Sequence, residues 1–493
     1  MTGDNADDGE IVFVADDLRV TRAEYRDRLA RAVTVLRDEG ISAGGCIGIA
    51  LRNCPQFFEL TAAASLIGAR AVPVAWRLKR EEVEYLIADS GAQVVFHDDE
   101  SASRLEGLPA VSLEDYEARL AAAQPTPDID ASTIRFNMEL YSSGTTGRPK
   151  AIERGQPTPE QMKRLMSGAF NFLDVMGVNQ PGEVHLMCGP LYHSQPIGFA
   201  TQALNAGHRV VMMPGSFDAE RCLATIDREK VTWITCVPTH LHRILSLPEE
   251  VRTRYDLGSL KAVLHSAAPC PRDVKQAIID LLPPDTLWEV YGGTEGAMTM
   301  ISPQEWKERP GSVGRAFPPG TELKVLDEQG STLPPGVPGL VYAQPMMSFT
   351  YRGAQQLDTQ TWRDGLFTLG DIGYLDEDGY LFITDRLKDM IISGGANIYP
   401  AEVEAVLFNH PAIADVSVIG VPDKHWGEQV KAIIELRGQA SAREIMDFCR
   451  EHLAHYKCPV SVDFVDAMPR DPNGKVRKRE LREPYWAGAG RAI

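Results

Sequence analysis

Serine and threonine hydroxyls, two glycines and a terminal lysine are crowded into Tyr141-Ser142-Ser143-Gly144-Thr145-Thr146-Gly147-Arg148-Pro149-Lys150. Glycine lets backbone N–H groups approach a ligand, hydroxyls add donors, and lysine adds a point charge. That chemistry holds an anion, and phosphate is the expected one. Ile134, Phe136, Met138 and Leu140 precede the loop in period-two alternation, which reads as a half-buried strand feeding it. The Walker template does not fit. It needs four residues between its glycine and a Gly-Lys-Ser/Thr ending, whereas Gly147 is followed by Arg148-Pro149-Lys150 and then Ala151. An ordinary P-loop kinase or GTPase is thereby disfavoured, and a flexible surface loop is the plain alternative.

Further stretches follow in order. They are Leu191-Tyr192-His193-Ser194-Gln195, His265-Ser266-Ala267-Ala268-Pro269, Tyr291-Gly292-Gly293-Thr294-Glu295 and Thr368-Leu369-Gly370-Asp371. Next come Asp385-Arg386-Leu387-Lys388-Asp389, then Ile391 to Pro400 around Gly394-Gly395, and Pro469 to Arg477 around Asn473-Gly474-Lys475. Together with the loop at Tyr141–Lys150, this set resembles the adenylate-forming superfamily: acyl-CoA synthetases, adenylation domains of peptide synthetases, and beetle luciferases. The resemblance covers nearly the whole chain. Ala151 departs from it, because a glycine usually follows that lysine.

The resemblance implies roles. Ser142, Ser143, Gly144, Thr145, Thr146, Gly147 and Lys150 would hold the phosphates of ATP, with Thr146 also counted as catalytic. His193 would lie beside the acyl carboxylate. A carboxylate is already ionised near neutrality, so His193 is assigned positioning rather than proton transfer. Ser266, Ala267, Ala268 and Pro269 are small and would let adenine lie along the backbone. Tyr291 and Gly292 would border adenine, Thr294 the α-phosphate, and Glu295 would hold Mg²⁺ through oxygen. Asp371 would take both ribose hydroxyls, and Arg386 ribose and phosphate. Lys388 stands where the family has its hinge, and Gly394 and Gly395 would let the pantetheine arm of CoA pass. Lys475 would reach carboxylate and α-phosphate together, where negative charge develops. The acyl pocket would draw on Gln195, Pro196, Gly198, Phe199, Val237, Pro238, Ser266, Ala267 and Gly293, with Gly293 opening space for a broad apolar acid. Arg477, Lys478, Arg479 and Arg482 read as a solvated basic face, with the CoA phosphates as the alternative.

Size and composition bound the rest. A chain of 493 residues is long enough for two or more domains. Its 44% hydrophobic and 24% charged residues are those of a soluble globular protein. The net charge of −18 repels nucleic acid and anionic membranes, so neither is an expected partner. Cys46, Cys54, Cys188, Cys222, Cys236, Cys270, Cys449 and Cys458 are scattered without a CxxC pair, which reads as reduced thiols in the cytoplasm. Met1 to Glu10 lacks the basic and apolar regions of a signal peptide. Leu60 to Trp76 is interrupted by Arg70 and Pro73, and reads as a buried helix then a strand rather than a membrane span.

The positioning elements follow from local signals. Thr21 and Glu24 form a capping box for a helix that ends near Gly40. Strands are expected at Cys46–Leu51, Ala71–Ala75, Gln93–His97, Val184–Cys188, Arg209–Met213, Trp233–Val237 and Ala262–His265. Helices are expected from Pro55 and at Glu81–Asp89, Glu160–Val175, Ala219–Glu229 and Arg272–Leu281. Ala121–Ser132 reads as a loop. This alternation argues an α/β fold of doubly wound sheets. From Thr321 short strands and Gly/Pro turns indicate a small β-subdomain. The resemblance implies a large domain over 1–386 and a small mobile α+β domain over 387–493.

The expected activity is an acid–CoA ligase. Carboxylate attacks the α-phosphorus of ATP·Mg²⁺, pyrophosphate leaves, and CoA then takes the acyl group from the acyl-adenylate. Ser194 to Thr201 contains no acid to hold a substrate ammonium, and no carrier-protein segment follows Lys475. A free-standing enzyme is therefore favoured over a peptide-synthetase domain. The wording of the motifs around Ser266 and Tyr291 resembles ligases of steroid, terpenoid or fatty acids. A carrier-protein thiol as acceptor is one alternative, and a non-catalytic nucleotide-binding relative is another.

Overall fold

A computed structural model describes residues 8–127, 138–142, 150–154, 171–268, 270–352, 361–394, 396–470 and 476–487. The chain divides into two compact units: Met1–Ser266 with Gln276–Trp288 and Met347–Gln355, and Ala267–Lys275 with Glu289–Met346 and Gln356–Ile493.

In the first unit, Ala262–His265, Trp233–Cys236, Val184–Met187, Arg209–Met212 and Ile11–Ala15 lie side by side in that order, all parallel, with Leu18–Thr21 antiparallel at the edge. A second parallel sheet runs Arg70–Pro73, Cys46–Ala50, Val94–His97, Ala110–Ser112. The strands are short apolar runs because helices cover both faces of such sheets. Val184, Leu186, Val211, Cys222, Leu223, Ile226, Ile234 and Val263 form the core between sheet and helices. The expected elements recur with small boundary shifts. Thr21 caps Arg22–Asp38 through a complete box with Glu24, and Ala219–Glu229 and Ala262–His265 have the expected ends. The apolar stretch after Leu60 is the helix Pro55–Leu66 followed by the strand Arg70–Pro73. The hairpin Ile11–Thr21 was not expected from the pattern. Most of the strand expected before Tyr141, and most of Glu160–Val175, lie outside the described residues.

The second unit holds the antiparallel ladder of Glu289 to Gly293, from the strand Leu287–Gly293, with Gly296–Ile301 and Arg315–Ala316. A sheet of short strands follows from Leu323 to Arg386. The last part is α+β. Ile413–Asp423 and Gly427–Leu436 form a long hairpin, Ile391–Ser393 pairs with Gly427–Leu436, and Ser461–Val465 joins in parallel. Period-two alternation splits this sheet's faces. Val416, Val418, Ala432 and Ile434 pack with Val403, Leu407 and Ile445 of the helices Pro400–Leu407 and Ala442–His452. Ile419, Val421 and Ile433 face Leu481 and Tyr485 of the helix Lys478–Trp486. All eight cysteines are free, and no helix among the described residues is long and apolar enough to cross a membrane.

Several histidines of the first unit are held neutral. His240 stacks on Phe217 with ring centres 4.0 Å apart, and burial pushes its pKa down to about 3. His185 stacks on Trp233 at 3.8 Å, and burial holds it well below the usual value. Such groups stay neutral in the fold but take up protons in the unfolded chain below its ordinary pKa near 6.5. Stability is therefore present above about pH 6.5 and falls as pH drops toward 3, by up to about 1.4 kcal/mol per pH unit for each group. Denaturant unfolding at pH 7.5 and pH 5 should show this loss, and His240→Leu should reduce the slope. An unchanged slope in that variant would mean that His240 is not held neutral by the fold.

Candidate functional site

In the first unit, Leu140–Ser142 and Lys150–Arg154 pair antiparallel, with Ser142 opposite Lys150. Ser143 to Pro149, and with them Gly144, Thr145, Thr146 and Gly147, lie outside the described residues. What surrounds this hairpin is long-range. Phe349–Tyr351 pairs with Lys150–Arg154, and the Lys150 ammonium stands 5.7 Å from the centre of the Tyr351 ring. Arg352, next along, contacts the Glu139 carboxylate, donates to the Asp89 carbonyl at 2.8 Å and reaches the Tyr141 hydroxyl at 3.3 Å. Tyr141 in turn donates to Asp89 at 2.6 Å. Glu139 also takes Arg70, so one buried carboxylate ties two strands together at the root of the hairpin. Ala151, where a glycine was expected, is buried at 1% exposure.

His193 is the N-cap residue of Ser194–Asn205 but uses no side-chain cap bond. Its ring lies 4.4 Å from that of Tyr192, and its Nε2 is buried without a hydrogen-bond partner among the described residues. Burial holds its pKa at about 3, so it has little basicity at neutral pH and remains able to hydrogen-bond. Gln195 Nε2 donates to the Cys236 carbonyl at 3.3 Å. Phe199 is buried and meets Phe172 edge-on at 5.3 Å. A Cβ on Gly198 would find nothing within 4 Å, so that helix face is open there. Val237 is buried and precedes the helix Pro238–Leu245. Ser266 is half-buried after the strand Ala262–His265. A cavity of about 20 Å³ in the same unit is lined by Cys188, Cys222, Cys236, Phe217, His240 and aliphatic side chains. Its wall is largely apolar, and it is a packing void.

The second unit holds the residues expected at adenine, ribose and the metal. Tyr291 donates its hydroxyl to Asp371 Oδ2 at 2.6 Å, and Arg386 Nε donates to Asp371 Oδ1 at 3.1 Å. Asp371 and Arg386 face each other across the antiparallel strands Asp371–Leu375 and Leu381–Arg386. Burial, then Asp371, pushes the Tyr291 hydroxyl far above its usual pKa, so it stays a donor. Ala267 is exposed with φ of +75°, a conformation that costs a residue with a side chain about 1 kcal/mol or more. Ala268 follows half-buried, and Pro269 lies outside the described residues. Gly292 and Thr294 are half-buried, and Glu295 is buried at 7% exposure. The Glu295 carboxylate is the kind of hard oxygen donor that Mg²⁺ takes.

A Cβ on Gly293 would meet Glu295 Oε2 at 2.6 Å and Leu369 Cδ2 at 2.9 Å. The first effect of a side chain at Gly293 would thus fall on Glu295 and Leu369.

After Arg386 the chain turns, with Asp389 and Met390 N–H groups donating to the Arg386 carbonyl. Lys388 is pushed below the usual lysine pKa by burial and then by Arg386. Gly394 has φ of +56° and donates its N–H to the Trp426 carbonyl at 2.8 Å. A Cβ there would strike the Trp426 ring at 2.5 Å, so both the backbone and the space demand glycine. Trp426 is 62% exposed, and its turn is shaped by Asp423 accepting from the His425 and Trp426 N–H groups. The sequence does not single out Trp426, which stands in the run His425-Trp426-Gly427 and meets Gly394 only through the fold. Gly395 and Lys475 lie outside the described residues, but the roots of the Lys475 loop do not. Arg470 bridges to Val476 and is pinned bidentately to Asp415 at 2.8 and 2.7 Å. The expected solvated basic face is corrected in half. Arg477 and Arg479 are exposed, whereas Lys478 is paired with Glu404 at 2.8 Å and Arg482 with Asp389 at 2.6 Å, because these two share the helix face that points inward.

The AMP-binding enzyme family model matches residues 4–351, and the AMP-binding enzyme C-terminal domain matches residues 402–475. A feruloyl-CoA synthase of Amycolatopsis sp is 33% identical over 484 residues, 94% of each chain. The fatty acid–[acyl-carrier-protein] ligase ScoC of Streptomyces coeruleorubidus is 32% identical over 486 residues, covering 95% of this chain and 91% of its own. Among solved structures, the o-succinylbenzoate CoA synthetase MenE of Bacillus subtilis, in complex with its acyl-adenylate intermediate OSB-AMP, superposes with a TM-score of 0.83. It is 28% identical and covers 96% of this chain and 95% of its own.

The packing at Gly293 generates a test. Gly293→Ala should displace the Glu295 carboxylate and raise the Mg²⁺ concentration needed for half-maximal activity several-fold. Adding Leu369→Ala should restore part of it by freeing room beside Glu295. A Mg²⁺ dependence unchanged in Gly293→Ala would separate Glu295 from the metal.

Proposed function

The chain belongs to the AMP-binding enzyme family, and from that premise we propose that it is an acid–CoA ligase acting through an acyl-adenylate. The observation that carries the nucleotide part is the Asp371 carboxylate bracketed by Tyr291 and Arg386. A carboxylate can take two vicinal ribose hydroxyls, an aromatic face can cover adenine, and a guanidinium can turn to a phosphate. The substrate carboxylate attacks the α-phosphorus in line and the bond to pyrophosphate breaks. The thiol of CoA, losing its proton, then attacks the acyl carbonyl, and AMP leaves. Mg²⁺, held by Glu295, would neutralise charge on the phosphates. His193, neutral and buried, would hold the acid's carboxylate by hydrogen bonding; Lys150, Thr146 and the other hydroxyls of the loop would hold the phosphates. Lys475 would steady the charge that grows between carboxylate and α-phosphate.

The acid is read as bulky and apolar, from the open face at Gly198, the buried Phe199 and Val237, and the small Ser266. Feruloyl-CoA synthase among the relatives supports an aryl or extended acid. The ScoC relative, a ligase of an acyl-carrier protein, favours a second reading in which the acceptor thiol is a carrier protein's. A reducing cytoplasm suits the eight free cysteines.

Acid-dependent pyrophosphate release, screened over an acid library with CoA or a carrier protein as acceptor, identifies both substrates. We further propose that the small domain turns about Lys388 between the two half-reactions, withdrawing Lys475 and bringing the Gly394-Gly395 segment to the site, and this makes a sharper statement. Lys475→Ala should lose adenylation by about two to three orders of magnitude, yet convert pre-made acyl-adenylate and CoA to thioester at a near-normal rate. A large side chain at Gly395 should do the reverse. Equal slowing of both half-reactions by Lys475→Ala would rule out alternation of the small domain between two orientations.

A further inference from the structure

The helix Pro400–Leu407 begins without a cap of its own. Its N-cap residue Tyr399 offers no side-chain bond, and Pro400 at its first position has no N–H. The first free donor is the Ala401 N–H, and it goes at 3.0 Å to Asp385 Oδ2, from the strand Leu381–Arg386. The other Asp385 oxygen accepts the Arg386 N–H at 2.7 Å. Asp385 is 7% exposed, and its negative charge at a helix N-terminus is in the favourable place. Lys478, half-buried and paired with Glu404 at 2.8 Å, also turns its charge on Asp385 and Asp389. Arg482, one turn on, takes Asp389 at 2.6 Å and the Lys388 carbonyl at 3.2 Å.

These contacts divide at Lys388. Arg482 with Asp389, and Lys478 with Glu404, join residues that all follow it. They would travel together in any rotation about Lys388. The bond from Ala401 to Asp385 joins a residue after Lys388 to one before it, and a rotation there has to break it.

We infer that Asp385 is a positioning residue for the two-step reaction: it latches the helix Pro400–Leu407, with Lys478 as counter-charge, and so holds one of the two domain orientations until the latch lets go. This rests on the proposal that the small domain turns about Lys388. Burial holds the Asp385 carboxyl up at about 6, against the pull of Lys478 and two backbone N–H groups. A carboxylate so desolvated regains water when its helix leaves, which offsets the lost bond and keeps the latch reversible. In the orientation it holds, the latch does for the helix start what an ordinary N-cap side chain does.

The test is the ratio of the two half-reaction rates, which does not depend on how much of a preparation is folded. Adenylation is read by ATP–pyrophosphate exchange with the identified acid, and thioester formation by single turnover of pre-made acyl-adenylate with CoA. Asp385→Ala should shift the ratio by about tenfold, the size expected for loss of a charge-assisted hydrogen bond, by slowing one half-reaction and sparing the other. Asp385→Asn keeps an acceptor for the Ala401 N–H and should return part of the shift. A ratio within twofold of wild type in Asp385→Ala, whether both rates fall together or neither moves, overturns the latch. Lys475→Ala in the same assays tests the rotation itself. Separation of its half-reactions together with an unchanged ratio in Asp385→Ala would leave the rotation standing and remove only the latch.

Discussion

The Asp371 carboxylate has two partners, and the second unit is built around satisfying both. A buried carboxylate without donors would cost several kcal/mol. Tyr291 reaches it from the strand Leu287–Gly293, and Arg386 from the strand that leads into Lys388. The same three side chains therefore fix the expected nucleotide residues against one another and set where the chain leaves toward its C-terminal part. A ribose would replace the two protein donors with its own hydroxyls. On the proposed function, that exchange would free Tyr291 and Arg386 for the base and the phosphate, and would couple nucleotide binding to the start of the proposed hinge segment.

Charge placement explains why the C-terminal helix is more than a cover. Leu481 and Tyr485 fasten Lys478–Trp486 onto the sheet through Ile419, Val421 and Ile433. Lys478 and Arg482, one turn apart on a different face, reach Glu404 and Asp389. The helix thus carries the loop ending at Lys475 by its apolar side and the segment after Lys388 by its basic side. Arg470, pinned to Asp415, fixes the other root of that loop. The proposed role of Lys475 at a phosphate would need a backbone anchored on both sides, and Arg470 and the helix Lys478–Trp486 are the anchored flanks among the described residues.

What could be read from the sequence was local. The capping box of Thr21 and Glu24 and the buried apolar strands are written in adjacent residues, so these elements, and the helix Ala219–Glu229, were legible almost to the residue. The motif order was legible too, since each motif is a short run. The partners that make the motifs work were not. Arg352 stands 213 residues from Glu139, and nothing near Arg352 marks it as part of the root of the phosphate hairpin. Lys478 and Arg482 lie in a run of basic residues that reads as solvated, and only the fold brings Glu404 and Asp389 to meet them. Gly293 was expected to border the acyl pocket, and the sequence does not say that Leu369 and Glu295 also converge on it.

The central claim is that the substrate's own carboxylate oxygen attacks the α-phosphorus of ATP. Acid labelled with ¹⁸O in its carboxylate, turned over with ATP, Mg²⁺ and CoA, tests it in one mass spectrum. AMP carrying one labelled oxygen, with unlabelled pyrophosphate, is the predicted result. Unlabelled AMP, or label in inorganic phosphate alongside ADP, would contradict an acyl-adenylate and with it the reading of this site.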